Sequence, residues 1–142
     1  MKLLRLSVFL ILIVPVVAAA QSKKIPVSVS HSGQDPVGQG VAFGLKEAIR
    51  ASHSFTLVDD ELVPKTDRIK VVMVSVDMND QVDSAIAIAL LLKGPKAVGG
   101  MGELFVTMGA WACGQKHIET CAKDMLVRSD RQIEPFRKIF WP

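Results

Sequence analysis

The sequence predicts an α+β domain, in the order β-α-β-β-β-β-α, with a mainly antiparallel sheet and two helices on one of its faces. Two stretches repeat their apolar residues at helical spacing, one early and one late in the chain. Between and before them run short β-branched segments that alternate with polar residues and stop at turn residues.

The first strand lies in "KIPVSVSHSGQDP", where Ile25, Val27 and Val29 alternate with Pro26, Ser28 and Ser30 before a loop. Asp35 followed by Pro36 starts a helix, because aspartate caps exposed N–H groups and proline suits the first helical position. Val37, Val41, Leu45, Ala48 and Ile49 then form one stripe, which predicts a helix over about 36–52. "FTLVDDELVP" supplies a second strand, Phe55 to Val58, then an acidic loop that Pro64 keeps from continuing. "RIKVVMVSVD", Arg68 to Asp77, is β-branched throughout, and the polar turn "MNDQVDS" joins it to "SAIAIALLLKG" as a hairpin partner. After "KGPKAVGGMG" comes the alternating "ELFVTMGAWAC", which sets Cys113 on one face with Phe105, Thr107 and Trp111. A final helix over about 115–131 carries the stripe Ile118, Cys121, Ala122, Met125 and Leu126.

The chain of 142 residues opens with Lys2 and Arg5, an apolar run from Leu6 to Val17, and small residues Ala18 to Ala20. That is the anatomy of a secretory signal peptide cleaved before Gln21. The run is broken by Pro15 and falls short of the roughly 20 apolar residues of a membrane-spanning helix. Two of the seventeen basic residues lie in this leader, so fifteen face fourteen acidic ones in residues 21–142. A net charge of +1 with no basic cluster gives no footprint for nucleic acid. The expected location is periplasmic or secreted, and residues 21–142 suffice for one domain with its own core.

One strand is unusual. On Arg68 to Asp77 both alternating sets are apolar: Ile69, Val71 and Met73 on one side, Val72, Val74 and Val76 on the other. Helices on a single face leave the second one uncovered, so the chain's own tail, a second subunit or a partner protein is expected to lie there. The tail "FRKIFWP" offers Phe136, Ile139, Phe140 and Trp141, apolar area that a disordered terminus rarely carries. These four are the candidate partner-binding residues, in cis on the sheet or in trans.

Motifs for chemistry are incomplete. Gly38, Gly40 and Gly44 in "GQGVAFG" fall inside the predicted helix instead of directly after a strand, which suits close packing better than dinucleotide binding. Asp77, Asn79 and Asp83 resemble the start of a calcium loop, but Val82 and Ile88 stand where glycine and glutamate are required. Ser30, His31 and Ser32 are adjacent, yet a nucleophile and its base must meet in space with an orienting acid. His53 and His117 stand alone in the sequence, and Met73, Met78, Met101, Met108 and Met125 are too scattered for a copper tract. No catalytic residue, metal site or cofactor is expected.

"WACGQKHIETCAKDM" places Cys113, His117 and Cys121 four residues apart. Three ligands are one short of a structural zinc site, and a redox pair would be spaced C-x-x-C. Two cysteines in an exported chain most simply form a disulfide, with metal binding and a free thiol as the alternatives.

"VAFGLKEAIRASHSFTLVDDE", residues 41–61, resembles the helix-strand unit of the amino-terminal domain of the Tol translocation protein TolB. It is similar also to domains of curli-secretion and penicillin-binding-protein-activator lipoproteins, which carry an acylated cysteine where Gln21 stands here. The resemblance implies a non-catalytic binding domain of the bacterial cell envelope. The expected function is therefore an exported protein-binding or adaptor module, with another envelope protein or a second copy as its partner and only a minor prospect of membrane-surface contact. Alternatives are a small inhibitor or immunity-type protein of an envelope hydrolase, and a small enzyme or metal carrier.

Overall fold

A computed structural model describes residues 23–59, 66–94 and 103–142. The predicted leader, the loop with Pro64 and most of "KGPKAVGGMG", Met101 included, lie outside the described residues. The elements are β1 (Ile25–Ser32), α1 (Pro36–Ala51), β2 (Phe55–Leu57), β3 (Arg68–Asp77), β4 (Asp83–Lys93), β5 (Glu103–Gly114), a 3₁₀ turn (Gln115–His117) and α2 (Ile118–Phe140). This is the predicted α+β order.

The sheet runs β2-β1-β3-β4-β5, and it is mixed and not purely antiparallel. β1 pairs in parallel with both β2 and β3, while β3–β4 and β4–β5 are antiparallel. The reason is the crossover: α1 returns the chain to the starting end of β1, so β2 must run alongside β1 in the same direction. Between β3 and β4 a tight turn reverses the chain. Asp80 and Gln81 both take positive φ (43° and 69°), and Val82 N–H closes the turn on the Asn79 carbonyl at 2.8 Å. That is a two-residue hairpin of the type that follows strand twist.

Both helices cover one face. Ile25, Val27, Ile69, Val71, Met73, Ile86, Ile88, Leu90 and Leu92 of the sheet meet Val37, Val41, Leu45 and Ile49 of α1 and Ala122, Met125 and Ile133 of α2. Each large side chain buried in this layer contributes about 1.5–3 kcal/mol relative to exposure. The helices also approach each other closely: a Cβ on Gly40 would lie 2.9 Å from Ile118 Cδ1, and one on Gly44 3.1 Å from Ala122 Cβ. Two of the three glycines thus serve packing between helices, and Gly38 serves packing against β3, where a side chain would overlap Ser75.

Two further expectations change. The final helix does not stop near residue 131; its stripe continues through Ser129, Ile133, Phe136 and Phe140, and it runs on past Pro135. Proline removes one intrahelical hydrogen bond there, and packing of this face on the core holds the helix in spite of it. In β5 a bulge between the partners of Leu90 and Leu91 leaves Val106 unpaired, so that Phe105 falls on the opposite face from Thr107, Trp111 and Cys113. An extra residue in a strand inverts the alternation beyond it.

Candidate functional site

The second face of the sheet is the candidate surface. Read across the register, its rows are Val72–Ala89–Met108, then Ser32–Val74–Ala87–Ala110, then Val76–Ala85–Ala112. Ala85 and Ala87 of β4 and Ala112 and Ala110 of β5 form a low floor beside a ridge of valines on β3, and the larger Met108 and Phe105 stand further along β5, opposite Ala89 and Leu91. Val76 is 62% exposed and Met108 73% exposed. These rows carry no formal charge. Charge gathers at their two ends instead. At one end Glu103 accepts from Lys70 Nζ at 3.2 Å and faces Lys93 Nζ at 3.3 Å. Burial pushes the Glu103 carboxyl up, but the two ammonium groups outweigh it and hold it below the ordinary glutamate range. At the other end lies the hairpin with Asp77, Asp80 and Asp83. Asp77 accepts there from the N–H groups of Asn79 and Gln81, so the residues read as a partial calcium loop build a turn.

The tail does not lie on this face. Phe136, Phe140 and Trp141 are half-buried against the core on the helix side, and Trp141 Nε1 donates to the Asp67 carbonyl at 3.2 Å. Arg137 sits 5.3 Å over the Phe55 ring while pairing with Asp130 and Glu134, which anchors the last turns of α2. Of the four candidate binding residues, Ile139 alone presents most of its surface, at 66% exposure. The helical period explains the division: 136 and 140 continue the buried stripe and 139 leaves it.

Cys113 and Cys121 form a disulfide with Cα atoms 6.2 Å apart, joining the end of β5 to the first turns of α2. His117, between them in sequence, is exposed at the start of α2 and makes no side-chain capping bond. Among the described residues no group of three or more His, Cys, Asp or Glu is placed to hold a metal ion. A disulfide of this kind fits an oxidising compartment outside the cytoplasm. No helix among the described residues is long and apolar enough to cross a membrane.

A polar cluster that motif reading did not reach lies at the start of α1. Asp35 Oδ2 accepts from Gly38 N–H at 2.6 Å and from Ser84 Oγ at 2.5 Å, and its Oδ1 accepts from Ser75 Oγ. His31 Nε2 stands 2.8 Å from the same Ser75 oxygen. Burial pushes the Asp35 carboxyl up, but the hydrogen bonds from Ser75, Ser84 and Gly38 together outweigh it, and the group ends below the ordinary aspartate range. Because the Ser75 proton goes to Asp35, His31 must donate to Ser75. A base that activated Ser75 as a nucleophile would have to accept instead. The cluster is thus a structural tie between α1, β3, β4 and β1. Its sequence signals were Asp-Pro, which was legible as a cap, and two serines at core-facing strand positions, which were not.

A groove of about 750 Å³ opens beside the short β2, with Lys24, Lys46, Arg50 and Lys70 on its wall. Lys24 donates to the Ser52 carbonyl, Arg50 pairs with Glu47, and Lys70 pairs with Glu103, so most of this positive charge is already engaged.

No protein-family model matches the chain, and no curated protein matches it.

Proposed function

We propose that this chain is an exported, non-catalytic protein-binding or adaptor module of the bacterial cell envelope, and that it works by contact through the second face of its sheet. The observation that carries the reading is the uncharged apolar surface of Val74, Val76, Ala85, Ala87, Phe105 and Met108, with no helix on it among the described residues. Exposed apolar patches of this kind mark protein interaction sites in water-soluble domains. The near-neutral charge of residues 21–142 favours a protein partner over nucleic acid. The disulfide, the predicted leader and the TolB-like segment 41–61 support the envelope as the place of work, periplasmic or secreted. The partner in this reading is another envelope protein that presents an apolar surface, and no cofactor takes part.

A photo-cross-linking side chain at Ala87 tests the idea inside the envelope. One dominant envelope partner is expected, and Val74→Lys with Val76→Lys in the same chain should abolish the cross-link. Equal cross-linking by the unsubstituted and doubly charged proteins would remove the face as the site.

A further inference from the structure

We infer that β5 pairs antiparallel with the β5 of a second copy, across a two-fold axis at Ala110, to give one continuous ten-stranded sheet. β5 is an edge strand of twelve residues, bounded by β4 on one side only. Its ladder shows which backbone groups face outward. Gln115 N–H donates to the Val82 carbonyl at 2.8 Å, and the next register pair is Gly114 with Asp83. Hydrogen-bonded and non-hydrogen-bonded pairs alternate in an antiparallel ladder. Cys113, Trp111 and Gly109 therefore direct their N–H and C=O groups at β4, while Ala112, Ala110 and Met108 direct theirs away from it. Those outward groups have no backbone partner among the described residues.

Exposed edges are normally guarded by lysine, proline, a bulge or inward-pointing charge, and the one bulge of β5, at Val106, leaves Met108 to Ala112 in regular register. β5 has a single formal charge, Glu103 at its start, and no proline. It carries instead three of the exposed large apolar side chains, Leu104, Phe105 and Met108. Such a row of outward backbone groups is a template for another extended strand, and a copy of β5 fits it by symmetry. Centred on Ala110, the pairing sets Met108 of each copy against Ala112 of the other, large against small, with no like charges opposed. On the helix side it brings Trp111 of one copy beside Gly109 of the other. A cleft of about 180 Å³ lies there, lined by Thr107, Gly109, Trp111, Arg128 and Gln132. Such an isologous pairing uses up the β5 edge of both copies, so association through β5 stops at two. It is independent of whether the second face binds another protein.

Sedimentation equilibrium of the purified disulfide-bonded protein tests the pairing. The unsubstituted protein is expected at twice the chain mass. Ala110→Pro removes an outward N–H and leaves the β4–β5 ladder intact, and Ala110→Lys sets like charges directly opposite across the axis. Both should halve the mass with circular dichroism unchanged, whereas Val74→Lys, on the sheet face away from the edge, should remain dimeric. A monomer at every concentration up to the solubility limit overturns the inference. So does a dimer that survives both Ala110 substitutions, or one that Val74→Lys dissociates, since that pattern belongs to stacked faces.

Discussion

Asp35 joins a helix start to two strands through one carboxylate, which makes its protonation a stability question. Its pKa is depressed in the folded chain, so its contribution is fully present above the unfolded value of about 3.9 and is lost as pH falls through the folded value. Urea midpoints measured from about pH 6 downward should therefore drop below about pH 4, and Asp35→Asn should flatten that dependence. At neutral pH, Asp35→Ala leaves Ser75, Ser84 and the Gly38 N–H without their acceptor and should cost about 1–3 kcal/mol. Gly38→Ala acts on the same place from the other side: its methyl group would overlap the Ser75 side chain, and overpacking of this kind costs about 1–3 kcal/mol. Thermal melts of the two variants check both figures.

At the scale of elements, α2 is fastened at both ends. The disulfide closes a short loop at its start, and removing that constraint as Cys113→Ser with Cys121→Ser should lower stability by about 2.5 kcal/mol in the chain-entropy account. Denaturant titration of this variant against the oxidised protein measures the difference. At the other end, truncation after Pro135 removes Phe136, Phe140 and Trp141 from the core layer and frees Phe55 from Arg137. Loss of stability comparable to a large core truncation, about 3–5 kcal/mol, is expected. The second face of the sheet should be no more accessible than before, because the tail packs on the helix side. Hydrogen exchange along β3 and β4 distinguishes this from a tail that covers that face.

For the molecule as a whole, the sheet is asymmetric by construction, with a dry layer under the helices and an uncharged apolar surface on the other side. Lysine at Val74 and Val76, both exposed, should change the melting temperature little, since the added charges stay in water. The same pair should abolish contact through this face if the proposed function holds. A fold that keeps its stability and loses its partner is the signature of a binding surface, and a calorimetric melt beside the cross-linking assay reads both.

Element order, the start of α1 at Asp35-Pro36, the hairpin between β3 and β4 and the cysteine bridge were all legible, because each depends on residues close together in sequence. So was the doubly apolar character of Arg68 to Asp77, which follows from side chains alternating along a strand. Parallel pairing of β1 with β2 and β3, the bulge at Val106 that turns Phe105 to the other face, and the extension of α2 past Pro135 depend on neighbours distant in the chain. The same holds for the meeting of His31, Ser75, Ser84 and Asp35, joined by hydrogen bonds between residues up to 49 positions apart that only packing brings together. Local periodicity therefore determined which elements form and that one strand would be apolar on both sides. Tertiary packing decided which face stays open, because it placed the aromatic tail under the sheet with the helices and not across it.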